Sequence, residues 1–476
     1  MIFFQIFFQK YLFGQSISFQ KVYGKQGFNY SRSVSQTLDG GYIITGSMSS
    51  QIVGASEVYL LKTDSLGTIQ WENNYGGPEI DWANNVLQLK DSGYILIGSS
   101  NSFNDGNYDI YLIRTDSKGG IVWSHTYGGE DWDFGNSIVQ TPDGGFMIVG
   151  ETYSFGNGGN DIYLIKIDSK GDTIYTKTFG GVGNETGSEI VKTKDRNFLI
   201  VGTTSSYGAG KEDGYLLKVD SLGNTLWSKT IGGTDDEEFY SVKECPDKGF
   251  ILAGASKTNA VGKFDFYIQK TDSLGNLAWN DFYGGPDDDI WYSIINKSGG
   301  GYMVTGYSVS SIGQGGEEVF IKEISDSGLF RNSTTFGGPH DERGRAVFQT
   351  RDRGFIITGE TNSFGPNLSN VYLIKVDSLF NAPIYNGVFQ KDLAPKANIQ
   401  VSPNPFSEIA VISINKNLDF GSWDFVLYNL FGIEVFKGHS FGNDFIFHRN
   451  EISSGMYLYK VFTKNELIGV GKILIK

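Results

Sequence analysis

Apolar residues in this chain come in short runs bounded by turn residues, and one stretch shows the grammar of the rest. A half-apolar segment, NSIVQT (136–141), ends in a PDGG turn, and a nearly all-apolar segment, FMIVG (146–150), follows it. After a polar, glycine-rich loop come DIYLIKID (161–168), an SKGD turn and TIYTKTF (173–179). Runs of this length between glycine-containing turns predict four antiparallel strands. The second strand, apolar on both sides, predicts burial on both faces, as a sheet packed between two other sheets requires.

The same four segments recur along most of the chain. The residue that opens the YGG element stands at 23, 75, 127, 179, 231 (here Ile), 283 and 336, spacings of 52 five times and 53 once. A fixed period of this size with four short strands per unit predicts an all-β chain folded as a seven-bladed β-propeller. The ends predict its closure. The segment SISFQKVYG is a fourth strand without the preceding three, and the last copy (346–377) has three strands without a fourth. Residues 17–23 are expected to complete that last blade, one strand joining three, which removes the free edges of an open sheet.

Four positions before each YGG aromatic stands a large residue, Phe19, Trp71, Trp123, Tyr175, Trp227 or Trp279, with Asn332 the exception. The element DSLGTIQW (64–71) resembles the tryptophan-docking turn of quinoprotein propellers and, more loosely, the Asp-box of sialidases. Its Gly-to-Trp spacing matches the first family, while the Asp spacing departs from both. The resemblance implies packing, and neither a cofactor nor sialidase activity comes with it.

Lys+Arg 39 against Asp+Glu 53 gives a formal charge of −14, which repels a phosphate backbone, so nucleic acid is set aside as a partner. The single cysteine, Cys245, excludes a disulfide framework and a cysteine-built metal site and is expected to be a buried thiol. No apolar run approaches the ~20 residues of a membrane-spanning helix, so no transmembrane segment is expected. The start, MIFFQIFFQKYLFGQS, reads as a secretory signal over residues 1–15, with a small-residue exit at Gly14 but no basic n-region. The propeller is expected over 16–380 and a linker over 381–397.

From about residue 398 the pattern changes. Pro403-Asn404-Pro405 precedes a first strand, Leu427-Tyr428-Asn429 with Gly432 marks a hairpin, and Gly455-Met456-Tyr457 and Gly471-Lys472 open and close the last strands. This ordered set resembles the type A C-terminal sorting domain of the type IX secretion system of Bacteroidetes. The resemblance implies a small β-sandwich over 398–476 that addresses a folded cargo to the secretion machinery, and a protein that is secreted or attached to the outer-membrane surface. The repeat half is similar to the repeat domains of secreted Bacteroidetes proteins.

In a repeat, a residue type present in every copy serves the copy, and one present in a single copy is free to serve a ligand. Three polar positions, charged in all copies but those with Asn29 and Asn370, recur in all seven copies and are expected to be scaffold. They are the polar group after YGG (Asn29, Asp81, Asp133, Glu185, Glu237, Asp289, Glu342), the base in the third strand (Lys62, Arg114, Lys166, Lys218, Lys270, Lys322, Lys375), and the residue five before that base (Glu57, Asp109, Asp161, Asp213, Asp265, Glu317, Asn370). The two longer loop sets, between second and third strands and between copies, fall on one end, where function is expected. Beyond the repeated set these loops carry Trp82, Asp131, Trp132, Asp235, Asp236, Asp287, Asp288 and Trp291.

Three readings of this acidic, aromatic rim stay open: a solvated surface, a glycan-binding face where indoles stack on sugars, and calcium sites at Asp235–Glu238 and Asp287–Asp289. None of these clusters has EF-hand spacing, and no other cofactor is implied. Glu151 and Glu360, each just after a second-strand glycine, are the candidate carboxylates for an enzyme. No GxSxG, HExxH or phosphate loop occurs. The sequence therefore favours an extracellular protein that binds a polymer, glycan or protein; a carbohydrate-active hydrolase and a structural adhesion or surface-layer component are the alternatives.

Overall fold

The structure, a computed structural model, describes residues 17–25, 27–49, 55–103, 107–258, 260–310, 316–383, 399–414, 422–429, 434–449, 452–463 and 466–476. The expected signal at 1–15, most of the expected linker and Gly432 lie outside these residues. The described chain is all strand and turn, and no helix is long and apolar enough to cross a membrane. It divides into two compact units, Met1–Gly387 and Val388–Lys476.

The first unit is built of four-stranded antiparallel sheets in simple up-and-down order. Sheets 1 to 6 are named here by their first strands: Asn29–Gln36, Asp81–Gln88, Asp133–Gln140, Glu185–Lys192, Glu237–Glu244 and Asp289–Asn296. Sheet 7 comprises Glu342–Gln349, Phe355–Thr361, Asn370–Val376 and, from the other end of the unit, Phe19–Tyr23. Phe19 pairs with Lys375 and Tyr23 with Val371, so the lone fourth strand and the incomplete last copy share one sheet. First strands touch one another in succession from sheet 1 to sheet 7, and those of sheets 7 and 1 also touch. They are the innermost layer, and the apolar second and third strands form the cores between sheets, for example Met147, Val149, Ile162 and Leu164 against Ile190, Phe198, Ile200 and Leu217.

Two devices recur at the junctions between sheets. Phe19, Trp71, Trp123, Trp227 and Trp279 lie over Gly67, Gly119, Gly171, Gly275 and Gly328, the turn glycines of the following sheets, where a Cβ would stand only 2.9–3.3 Å from the ring. The YGG tyrosines then donate to carbonyls of the same turns: Tyr23 to Gly67 at 2.6 Å, Tyr75 to Gly119 at 2.6 Å, Tyr127 to Gly171 at 2.7 Å. These glycines have positive φ, +73° at Gly67, so glycine meets a steric and a backbone requirement together.

The third-strand bases are paired in six sheets. Lys166, buried, donates to Thr141 Oγ1 at 2.9 Å and pairs with Asp143 at 2.9 Å. The Thr141 hydroxyl, then against burial the Lys166 ammonium and Gly145 N–H, hold Asp143 down at about 2. Sheet 6 departs from the expectation. Its third strand pairs Met303 with Glu323, where sheet 3 pairs Met147 with Lys166, so Glu323 and not Lys322 occupies the scaffold site. The charge is inverted there: buried Glu323 is met by Lys297 and by Arg331 at 3.6 Å. Lys322 instead lies over the rings of Tyr283 at 3.9 Å and Phe330 at 4.0 Å. By the same shift Glu318, opposite Ser308, takes the place assigned to Glu317. The single 53-residue spacing is this extra residue.

The second unit has a three-stranded sheet (Ile399–Ser402, Ile409–Ile414, Asp444–His448) and a four-stranded one (Glu434–Ser440, Trp423–Tyr428, Gly455–Thr463, Glu466–Ile475). Ala410, Ile412 and Phe447 of the first share a core with Phe425, Leu427, Tyr459, Val461 and Ile473 of the second. Asn404 of the Pro403-Asn404-Pro405 segment clamps the last strand, donating to Lys472 O and accepting from Leu474 N–H, both at 2.9 Å. A Cβ on Gly471 would collide with the Tyr459 ring, and Tyr457 donates to Ser453 O at 2.8 Å. Gly455 opens the strand that pairs with this segment.

Candidate functional site

Every first strand of the repeat carries one residue too many. Its pairing to the second strand skips a residue, leaving a bulge in each of the seven sheets. The skipped residues are Arg32, Asn84, Asn136, Ser188, Tyr240, Tyr292 and Arg345. Opposite each bulge the second strand has glycine, because a Cβ on Gly150 would meet the carbonyl oxygen of Phe134, and the other six repeat this contact. A bulge turns its extra side chain out of the ladder. Here, on the innermost layer, these side chains meet across sheet boundaries. Asn84 donates to Gly135 O at 2.9 Å and Asn136 to Gly187 O at 3.0 Å. The rings of Tyr240 and Tyr292 are 5.0 Å apart, and the Arg345 guanidinium lies 4.3 Å from the Tyr292 ring.

Two strand positions beside each bulge pair directly and carry non-repeated residues: Trp82 with Ser99, Phe134 with Glu151, Glu238 with Ala255, Ile290 with Tyr307, Arg343 with Glu360. The inner surface is thus divided. Sheets 2 and 3 present aromatic rings, and sheets 5 to 1 present phenols and guanidinia.

The aromatic part reaches the loops. Trp82 is half-buried, its ring 5.2 Å from Tyr108 and 6.0 Å from Phe134. Trp132 is 48% exposed and Tyr153 44%, with ring centroids 6.2 Å apart. Tyr153 N–H donates to Trp132 O at 2.8 Å, which joins the two longer loops at one end as the strand order requires. Asp131 stands beside them, exposed. Glu151 accepts from Asn160 Nδ2 and Thr186 Oγ1, both at 2.7 Å, and burial raises its pKa.

The remaining expectations fare differently. Trp291 is 0% exposed, stacked 3.9 Å from Phe266 in the core between sheets 5 and 6, so its assignment to a ligand-binding rim is corrected. The acids of the later sheets face lysines: Asp235 to Lys211 at 3.7 Å, Asp236 to Lys257 at 2.7 Å, Asp287 to Lys263 at 3.3 Å and Asp288 to Lys263 at 4.0 Å. Glu237 and Asp289 are buried and satisfy YGG N–H groups at 2.6 and 3.0 Å. Among the described residues no group of three or more acids, histidines or cysteines could hold a metal ion, so the calcium reading of these clusters finds no site. Glu360 is held by Arg345, with Nε–O distances of 3.1 and 3.2 Å and an Nη2–O distance of 2.6 Å. Cys245 is buried, which pushes its thiol up to about 11.

No family model matches the chain. Among curated proteins it is 26% identical over 218 residues to the regulatory protein FlaEY of Caulobacter vibrioides. That match takes in 38% of this chain and only 23% of the relative's length. Among solved structures it is similar to PorZ, a surface component of the type IX secretion system of Porphyromonas gingivalis, at 10% identity and a TM-score of 0.39, covering 95% of this chain and 60% of that one. It is similar to a puromycin hydrolase at 13% identity and a TM-score of 0.48, covering 81% and 58%. It is similar to the extracellular domain of a one-component system of B. thetaiotaomicron at 10% identity and a TM-score of 0.30, covering 94% and 70%.

Proposed function

We propose that the first unit is a seven-bladed propeller, closed by the strand Phe19–Tyr23, that binds an extracellular glycan on the face bearing Trp82, Tyr108, Trp132, Phe134 and Tyr153. The observation that carries this reading is the continuous set of five rings across sheets 2 and 3, two of them nearly half exposed. Rings packed against one another lose little rotamer freedom when a ligand arrives, and their faces suit the C–H surface of a sugar. The carboxylates of Asp131 and Glu151 next to them accept hydrogen bonds from hydroxyls. The rings Phe103, Phe155, Tyr207 and Phe364, in contrast, pack on Tyr111, Tyr163, Tyr215 and Tyr372 in four sheets and belong to the repeat.

The second unit serves as the sorting domain that its Pro403-Asn404-Pro405 to Gly471-Lys472 elements resemble. With residues 1–15 as signal, it delivers the propeller through the type IX secretion machinery to the cell surface or the medium. A hydrolase is disfavoured by Glu360, whose carboxylate is committed to Arg345. The test is retention of the full chain on a panel of immobilised polysaccharides, followed by assay for new reducing ends. Retention without new ends, lost in Trp132→Ala, supports the reading. Retention unchanged in both Trp132→Ala and Tyr153→Ala sinks it, and new ends lost in Glu151→Gln would make the protein an enzyme.

A further inference from the structure

Sheets 7 and 1 gather three guanidinia on the inner surface, and two of them are engaged by carboxylates. Arg345 is forked on Glu360 and stacked on Tyr292. Arg343 is forked on Glu317 and lies 5.1 Å from the Tyr307 ring. Arg32, the bulge residue of sheet 1, is exposed and has no carboxylate or hydrogen-bond partner among the described residues. Its charge is nonetheless felt by these same groups, repelled by Arg345 and Arg343 and attracted by Glu360. Three arginines against Glu317 and Glu360 leave 3 − 2 = +1 at this place, in a chain of formal charge −14. In sheets 2 to 6 the bulge residues are neutral, so the cation is a feature of this junction and not of the repeat.

We infer that Arg32 is the anchor of an oxyanion site, taking a carboxylate or sulfate group carried on a sugar. A guanidinium offers two parallel N–H donors matched to such a group, and an arginine with no internal partner keeps both available. Arg345 and Arg343 are neutralised by their own carboxylates, so the net charge at this place is that of Arg32. Tyr30, two residues before Arg32 on the same strand, puts a phenol beside the site. The ligand is then an acidic polysaccharide, a uronate carboxylate or a sulfate ester being the group held. This rests on the glycan reading for the polymer, while the anion site is testable alone.

The experiment measures binding of sodium glucuronate and sodium sulfate to the full chain by calorimetry, at constant ionic strength set with chloride and with glucose as neutral control. Saturable binding of one anion, weakened at least tenfold in Arg32→Gln and less in Arg32→Lys, supports the site, and the anion that binds distinguishes carboxylate from sulfate. Arg32→Gln should unfold at the wild-type temperature without anion, because the guanidinium holds no other group. Absence of anion binding to the wild type, or equal binding in Arg32→Gln, overturns the inference. A separate arm keeps the two readings apart: Trp132→Ala should lose retention on polygalacturonate yet bind the free anion as the wild type does. Loss of free-anion binding in Trp132→Ala would place the anion elsewhere and refute the assignment to Arg32.

Discussion

Asp109 and Asp133 test how the repeat tolerates its own charges. Asp109 is 5% exposed and Asp133 0%, and the first YGG glycine, Gly128, lies between them, with no space for a Cβ beside either carboxylate. Asp133 Oδ2 accepts from Gly129 N–H at 2.8 Å and from Ser154 Oγ at 2.7 Å, while the Oδ1 atoms of both Asp133 and Asp109 are buried with no hydrogen-bond partner among the described residues. Burial first, and then the Asp133 charge, push Asp109 from 3.8 up to about 6. A folded pKa raised by about 2 units means that ionising Asp109 costs the native state about 3 kcal/mol at neutral pH, as an upper figure. The native state holds the proton more tightly than the unfolded chain between pH 4 and 6. Stability contributed by the neutral carboxyl is therefore present below pH 4 and lost as pH rises through 6. The junction of sheets 7 and 1 shows the remedy, since Asn370 and Asn29 stand at the two places and donate to Phe364 O at 2.9 Å and Ser369 O at 3.0 Å.

Asp109→Asn should accordingly stabilise the first unit by about 1–3 kcal/mol at pH 8 and by close to nothing at pH 4. In a unit of this size that is a rise of a few degrees in Tm at pH 8. Calorimetric scans of variant and wild type from pH 4 to 8, with and without EDTA, check it. A fall in Tm at pH 8 would refute the repulsion, and a fall matched by EDTA acting on the wild type would show a cation bridging the two carboxylates instead.

Three further outcomes follow from the same structure. Trp291→Ala should cost about 3–5 kcal/mol by opening a cavity against Phe266 and Phe320, while Trp132→Ala should leave Tm within about 1 °C and act on ligand retention alone. Lys166→Met, which strips partners from Thr141, Asp143 and the Ile167 carbonyl, should cost about 1–3 kcal/mol. Lys322→Met should stay within about 1 kcal/mol because only ring contacts are lost; equal losses at the two lysines would restore the simple alignment of sheet 6. Gly150→Ala should destabilise by more than about 3 kcal/mol, since the strand must move away from the Phe134 carbonyl; Tm within 2 °C of wild type would mean that the bulge is soft.

The periodic part of this protein is legible in its sequence because each copy states its strands and turns locally: alternation, apolar runs, PDGG and DSLG turns, and a large residue four before YGG. Those signals suffice for the four-stranded sheets and for the sharing of the last sheet between both ends of the first unit. Trp82, Trp132, Glu151 and Glu360 were visible as breaks in the repeat. Pairing decided the rest. A bulge adds a residue without altering the period, so Arg32, Tyr240, Tyr292 and Arg345 read as ordinary strand residues; their one trace is a variable position three after each scaffold polar group. The 53-residue spacing was countable, but only strand register shows that the extra residue moves Glu323 into the buried site and releases Glu317 to Arg343. Trp291 looks like Trp82 along the chain and lies one residue further into the strand. Because successive side chains point to opposite faces, that single step puts one indole in the core and the other at the surface.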